Sequence, residues 1–534
     1  MERRLSGLSA SAGFAYGPAV AFRALAGLRR EKGSADDERK ALSHAVALAL
    51  RDVSALAARL EGDAAEIVGF QVALLEDDAL TEGAYAEIAQ GVAAERAWTD
   101  TMDSEIAGYE ASDDAYFRAR SADLVDIRDR VLRRLFDLPE PTNAPPGAII
   151  VAEDLPPSSF LGIDWSRGGG IALGGGSPTS HVAMLARGRG VPMVVGLGPQ
   201  WQAITGAAVV DGVTGVVLAE PSAETIERVR LQRDELNRAR DDAEARKREP
   251  AITRDGAPIA VMINVAGLAD VRDFPVEACD GIGLTRTEFL AEEALRDEER
   301  QYQLYADLLR WAEGKPVTIR TLDAGGDKPI AGYTIDGESN PFLGLRGIRL
   351  SLRHKDVFRI QLRALARAAS AGPLKIMLPM VTTPDELEQS RRLLNETLAE
   401  LAEEGLPHAT PQLGIMVEVP AAAMAIAAFD AAFFSIGSND LTQYATAAAR
   451  DASDVAAYAD VLHPGVLAMI AHVAAHGVAS GREVSLCGDA GGDPRAIEAL
   501  LRAGVRCVSV SPGLLAMTKE AIRSVDLAAS RAIP

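Results

Sequence analysis

The chain has 534 residues, 48% hydrophobic and 25% charged, the proportions of a soluble globular protein too long for one core, and the length predicts about three or four domains. A formal charge of -21, from 55 Lys+Arg against 76 Asp+Glu, argues against a nucleic-acid partner, since a phosphate backbone demands a basic surface, and suits a basic protein partner. Cys279, Cys487 and Cys507 are too widely spaced for a disulfide framework or a clustered zinc site, no apolar run follows Arg3-Arg4, and the alanine-rich stretch 421–432 is too short to span a bilayer, so the chain reads as cytoplasmic.

The first residues alternate small and apolar groups with Gly7, Gly13, Gly17 and Pro18, which predicts short strands at one edge of a domain completed later. From Glu31 to Leu138 helical periodicity takes over, and Leu124, Ile127, Val131, Leu132, Leu135 and Phe136 fall on one helical face. This predicts a helical bundle over 29–142, inserted into an α/β domain made of 1–28 and 143–221. Between Glu61 and Asp114 fifteen acidic residues stand against one basic residue, Arg96. They form either a set of solvated helix faces or a docking surface for a basic partner.

Strand-like runs resume at Ala148–Ala152 and continue through Gly168–Gly176, Pro192–Gly196 and Ala208–Val217. Among them lies Gly174-Gly-Gly-Ser-Pro-Thr-Ser-His181. The glycines, Ser177 as a possible cap and Pro178 as a first-turn residue predict that His181 stands at or near a helix start. Unpaired amides and the helix dipole there would stabilise a phosphoryl group on or beside the imidazole, so His181 is the candidate phosphoryl carrier. Residues 222–250 are charge-rich, with Glu224/Arg228, Asp234/Arg238, Asp242/Arg246 and Glu244/Arg248 spaced i,i+4. They predict an exposed linker helix, ending at Pro250, that lets the two halves move as units.

From Ala251 onward, strand-like runs such as Val317–Arg320, Gly414–Glu418 and Phe433–Gly437 alternate with helical stretches. About eight such βα units predict a (β/α)8 TIM-type barrel over 251–534, in which polar residues just past each strand converge on one mouth. Arg286 and Glu288 follow the second strand; Arg320, Asp323 and Lys328 follow the third; Arg346 lies in Asn340-Pro-Phe-Leu-Gly-Leu-Arg. Glu418 ends the fifth strand, Asn439 and Asp440 the sixth, Arg450 lies beyond, and Cys487 ends the seventh. Cations facing one mouth would repel unless an anion sits among them, and arginine binds phosphate and carboxylate bidentately. Glu418 and Asp440 beside that cluster suggest Mg2+ held partly by protein and partly by substrate phosphate, so the inferred ligand is a small phosphorylated carboxylate.

Five stretches carry a family resemblance: Thr-Ser-His181 with Ala-Arg187 behind it, 281–289 (Gly-Ile-Gly-Leu-Thr-Arg-Thr-Glu-Phe), 320–328 (Arg-Thr-Leu-Asp-Ala-Gly-Gly-Asp-Lys), 340–346, and 433–444 (Phe-Phe-Ser-Ile-Gly-Ser-Asn-Asp-Leu-Thr-Gln-Tyr). Over essentially its whole length the chain resembles the Enzyme I family of the phosphoenolpyruvate:sugar phosphotransferase system. The related pyruvate phosphate dikinases and PEP synthases carry an ATP-binding domain before these elements, whereas the residues before Ala148 read as helices without a phosphate loop. The resemblance implies a swivelling phosphohistidine α/β domain, a helical insertion that docks the carrier protein HPr, a linker helix, and a barrel that binds PEP and Mg2+ and forms a homodimer. It also implies that Glu418 and Asp440 ligate the metal, that Arg286, Arg320, Lys328, Asn439, Asp440 and Arg450 bind substrate, that His181 attacks phosphorus, and that Cys487 protonates the departing enolpyruvate to give pyruvate. Arg120-x-x-Asp123-x-x-Asp126 matches the family's carrier-docking stretch. The sequence departs from the family at Ser177-Pro178, where an arginine is usual, at Asp489 after Cys487-Gly, where glutamate is usual, and after Phe70, where an acidic residue and histidine are usual. A dikinase-type phosphotransferase and a non-turnover PEP sensor are the alternative readings.

Overall fold

A computed structural model of the chain describes residues 2–21, 28–58, 63–77, 79–111, 115–138, 144–178, 180–288, 294–326, 330, 332–335, 338–449, 455 and 458–529. By packing it falls into two units, 1–238 and 239–534.

In the first unit, eight strands form one sheet: β1 (Arg3–Ser6), β2 (Leu8–Ser11), β3 (Phe14–Ala21), β4 (Ile149–Ala152), β5 (Gly170–Leu173), β6 (Met193–Val195), β7 (Ala207–Asp211) and β8 (Val216–Ala219), in the order β1-β8-β7-β3-β4-β5-β6-β2. The first strands do not share one edge, as the sequence suggested. β1 takes one edge antiparallel to β8, β2 takes the other antiparallel to β6, and β3 runs centrally between β7 and β4. Breaks at Gly7 and at Gly13 (φ +135°) split the segment into pieces that pair independently.

Five helices, Ala35–Ala57, Asp63–Glu76, Ala79–Ala89, Ala94–Glu110 and Ala115–Leu135, lie between β3 and β4. The first opens with a capping box: Ser34 Oγ accepts from the Asp37 N–H and Asp37 Oδ2 accepts from the Ser34 N–H, both at 3.2 Å. Leu42, Val53, Trp98, Met102, Ile127 and Val131 share a core with Ile150, Ile171 and Met193 of the sheet. The alternate strand residues Ile149, Val151, Ala172 and Val194 pack on its other face with Trp201.

The linker helix spans Ala223–Ala245 and stops short of Pro250. In the second unit, two cations of the helix Leu515–Ser524 take up the carbonyls beyond it. Buried Lys519 donates to the carbonyls of Lys247 (2.8 Å), Glu249 (3.1 Å) and Ala278 (2.6 Å), and Arg523 to those of Arg246 (3.1 Å) and Glu249 (2.7 Å). Cations at a helix C-terminus satisfy carbonyls that continued helix would otherwise use. Arg246 accordingly pairs with Glu249 (3.0 Å) and Glu520 (3.1 Å), Lys247 with Glu244, and Arg238 donates to the Asp234 carbonyl (3.2 Å).

The rest of the second unit is a closed barrel of eight parallel strands, β9 (Ala260–Val265), β10 (Ile282–Thr285), β11 (Val317–Arg320), β12 (Leu374–Leu378), β13 (Gln412–Val417), β14 (Phe433–Gly437), β15 (Glu483–Cys487) and β16 (Cys507–Val510). Ile376, Ile415, Val417, Phe434 and Ile436 face the surrounding helices, while Met377, Met416, Phe433, Leu284 and Cys487 fill the interior. This period-two alternation sends the last inward residue of each strand toward the C-terminal mouth. Cys279, Cys487 and Cys507 are all free and buried, and among the described residues no helix is long and apolar enough to cross a membrane.

Lys519→Met would leave the Lys247 and Ala278 carbonyls without this donor, Glu249 keeping Arg523, and is expected to destabilise the full chain by about 2–3 kcal/mol, read as a lowered urea midpoint at unchanged m-value.

Candidate active site

The helix carrying His181 runs from His181 to Arg189. Its cap is Ser180, in extended conformation, whose Oγ accepts from the Ala183 N–H at 3.3 Å; His181 is therefore the first helical residue. Ser177 and Pro178, expected as cap and first turn, instead form a turn closed by the Ser180 N–H donating to the Ser177 carbonyl at 3.1 Å. The local reason is that Ser180 stands three residues before a free amide, the spacing a cap requires. Arg187 donates to the carbonyls of Pro178 (2.7 Å) and Ala10 (2.9 Å), which pins this turn to β2. Before it, Gly174 and Gly175 donate to the carbonyls of Ala152 and Glu153, each at 2.8 Å. A Cβ on Gly174 would stand 2.2 Å from the Trp201 ring, so only glycine fits there.

At the C-terminal mouth of the barrel the structure brings together most of the residues singled out from the sequence. Arg320 is the last residue of β11 and is buried. It donates to Glu288 (2.8 Å), pairs with Asp323 (3.2 Å), and keeps a buried Nε without a hydrogen-bond acceptor. Asp323, fully buried, accepts both arms of Arg346 (3.2 and 3.1 Å). The remaining face of that guanidinium reaches Asp440 Oδ1 (3.2 Å), Asp440 Oδ2 (3.4 Å) and Tyr444 Oη (3.3 Å). The result is one alternating chain of charge, Glu288, Arg320, Asp323, Arg346 and Asp440, across three loops. Burial opposes the charge on both arginines, but the flanking carboxylates outweigh it and hold them protonated.

Glu418, just past β13, is buried and accepts from the Met380 N–H at 2.6 Å. Its carboxyl is pushed up to about 8, first by burial and then by Asp440 and Asp323. Met380 reaches it with φ +57°, a left-handed backbone that costs a branchless side chain about 1–2 kcal/mol. Asn439 and Asp440 lie in the first turn of the helix Ser438–Thr446 rather than on β14 itself. Asn439 Oδ1 accepts from the Asp489 N–H at 3.0 Å, which fixes the orientation of the amide, with its nitrogen as the donor end.

Cys487 ends β15 inside the barrel. Its thiol accepts from Ser435 Oγ (3.4 Å) and faces the Ile436 carbonyl (3.6 Å), and burial pushes its pKa up to about 11. At neutral pH it is thus a protonated thiol, able to give a proton away. Arg286 follows β10 with its side chain exposed and its N–H donating to the Val265 carbonyl at 2.9 Å.

Lys328 and Arg450 lie outside the described residues. Arg120 sits on the helix Ala115–Leu135, whereas Asp123 and Asp126 of the same stretch are buried and both accept from Gln71 (3.1 and 2.9 Å). Sequence reasoning missed Met380, Ser435 and Tyr444. Tyr444 closes the 433–444 stretch and carried a signal through that position; Met380 and Ser435 act through an amide and a hydroxyl that no pattern marks.

The chain matches three family models: "PEP-utilising enzyme, N-terminal" over residues 6–120, "PEP-utilising enzyme, mobile domain" over 144–215 and "PEP-utilising enzyme, PEP-binding domain" over 240–527. It is 36% identical to a phosphoenolpyruvate-protein phosphotransferase of Geobacillus stearothermophilus, over 96% of this chain and 91% of that one. A protein of the same description from Haloferax volcanii is 37% identical over 89% of this chain and 84% of that one. A multiphosphoryl transfer protein of Rhodobacter capsulatus is 38% identical over 86% of this chain and 56% of its own length.

Arg346→Met leaves Asp323 and Asp440 buried without their shared counter-charge and is expected to cost about 3–5 kcal/mol in urea unfolding; Arg346→Lys recovers little of it, because an ammonium cannot span two carboxylates as a fork does.

Proposed function

We propose, on the premise that this chain belongs to the PEP-utilising enzyme family and is a phosphoenolpyruvate-protein phosphotransferase, that His181 takes the phosphoryl group from PEP held at the barrel mouth and hands it to a histidine of an HPr-type carrier. The observation that carries the site assignment is the buried charge chain from Glu288 to Asp440 with Glu418 and the protonated Cys487 thiol beside it, all at one mouth of the barrel. Buried carboxylates there outnumber the buried guanidiniums, which fits a divalent cation.

In this reading Arg286 and Arg320, with Lys328 and Arg450, neutralise the phosphate and carboxylate of PEP, and Asn439 donates its amide to the same ligand. Phosphoryl transfer asks mostly for such positioning and charge neutralisation. Glu418 and Asp440 would hold Mg2+, whose hard preference for carboxylate and phosphate oxygen supplies further neutralisation of the transferring group. His181 forms the new bond from a neutral ring nitrogen to phosphorus as the bond to the enol oxygen breaks. Enolpyruvate is then protonated at carbon by the Cys487 thiol, giving pyruvate, and the thiolate regains its proton from solvent. Residues 1–28 with 143–221 act as the phosphohistidine domain, 29–142 as the carrier-docking insertion around Arg120 and the acidic 61–114 stretch, 222–250 as the linker, and 251–534 as the PEP-binding domain. The Enzyme I resemblance supports the carrier, a homodimer through the barrel, a cytoplasmic setting and a downstream branch in sugar uptake, dihydroxyacetone phosphorylation or nitrogen-linked signalling.

Incubated with PEP and Mg2+, the purified chain is expected to gain one acid-labile phosphoryl group by intact mass, with pyruvate formed, and His181→Ala to gain none. Chelating Mg2+ should abolish the gain. No gain in the parent, with PEP still bound, would replace turnover by a sensing role. Cys487→Ala is expected to lower isotope exchange between pyruvate and PEP by about 100-fold or more, the usual worth of a positioned acid.

A further inference from the structure

We infer that Gln361, on the helix Lys355–Ala368, is a positioning residue for phosphoryl transfer: its buried carboxamide clamps, from behind the barrel wall, the two loops that carry Arg286 with Glu288 and Arg320 with Asp323. The inference rests on the reading that these loops bind PEP.

Thr287 stands between Arg286 and Glu288, and Leu322 directly precedes Asp323. Gln361 Oε1 accepts from the Leu322 N–H at 3.1 Å, while its Nε2 donates to Tyr305 Oη at 3.2 Å and Thr287 Oγ1 at 3.4 Å. Thr287 Oγ1 passes its own proton to the Arg320 carbonyl at 3.0 Å. Tyr305 passes its proton to Gln301 Oε1 at 3.1 Å, and Gln301 is held by the Ala294 carbonyl at 2.8 Å. The Leu322 N–H can only donate, so it fixes which end of the Gln361 amide faces it, and every later donor follows in one direction. One side chain thus joins the β10 loop, the β11 loop and the Arg320 backbone.

Burial makes that single arrangement binding. Gln361 is 7% exposed, Gln301 4%, Thr287 1% and Tyr305 0%, so a half-satisfied network would leave several buried polar groups short of partners. A cavity of about 20 Å³ beside these groups has room for about one water. Leu295, Leu322, Val357 and Phe358 also line it, so an apolar side chain at 361 would find packing, and stability alone does not call for a carboxamide. What the carboxamide adds is direction. On the mouth side the same loops meet through Glu288, which accepts from both Arg320 (2.8 Å) and the Asp323 N–H (3.2 Å). Held from both sides, the Arg320 guanidinium has little freedom to drift from its place, and small misplacements of a charge-neutralising group are costly to rate.

The test is the exchange of label between pyruvate and PEP with Mg2+, which reports the first half-reaction of the full chain without any carrier. Gln361→Met is expected to lower the exchange rate at saturating PEP by about 10- to 100-fold, with a smaller change in the KM for PEP. Tyr305→Phe, which keeps the ring, should lower it several-fold, and Gln303→Met, on the exposed face of the helix Glu298–Trp311, should leave it unchanged. Melting temperatures are measured alongside, and all rates are taken well below them. If Gln361→Met and Tyr305→Phe exchange at saturating PEP within twofold of the parent while melting lower, Gln361 is structural only and the inference falls. If Gln361→Met does not fold, Tyr305→Phe decides by the same criterion. A parent that shows no exchange, indistinguishable from Arg320→Met, would overturn the site reading and this inference together.

Discussion

The barrel mouth depends on one guanidinium buried between two carboxylates. Arg346, 1% exposed, cannot stand there as an isolated charge, and neither can Asp323 at 0%. Each is made tolerable by the planar fork of Arg346, which meets both oxygens of Asp323 and still reaches Asp440. The interaction welds the β11 loop, the stretch after Asn340 and the helix after β14 into one body. Arg320 extends it by pairing with Asp323 and Glu288, so one chain of ion pairs fixes both Arg320 and Asp440.

Burial then does two different chemical jobs a few residues apart. At Cys487 it keeps a proton on sulfur, and Ser435 orients the thiol without supplying a charge that would remove the proton. At Glu418 the same desolvation, reinforced by Asp440 and Asp323, makes the carboxylate reluctant to stand alone as an anion. A group so placed gains from a cation, whereas a surface carboxylate would be indifferent. The left-handed Met380 shows the backbone bearing strain to deliver an N–H to that carboxylate.

In the first unit, His181 is set at the start of its helix by a glycine loop wedged against Trp201, a turn held by Arg187, and a serine cap that makes the histidine the first helical residue. A helix start carries unpaired amides that stabilise an anion.

Much of this was legible in the sequence, because the signals are local. Strand-like runs such as Phe433–Gly437 alternating with helical stretches announced the barrel, residue type marked the ionisable groups at the strand ends, and a long charge-rich stretch announced the helix after β8. The cap was placed three residues early because Ser177-Pro178 and Ser180 both satisfy the local rule, and only the meeting of Ser180 with the Ala183 N–H decides between them. The placing of the first strands at one edge failed because pairing partners lie about two hundred residues away, where no local period reaches. Charges were the deepest divide. The sequence by itself determined which ionisable groups stand at the strand ends; only the tertiary structure decided that Arg346 takes two carboxylates, that Arg320 keeps a free donor, and that Gln361 faces the back of both loops. Residue type and period are properties of neighbours along the chain, whereas a pairing within a few ångströms is a property of closure, and the energy of a buried charge is set almost wholly by what closure brings beside it.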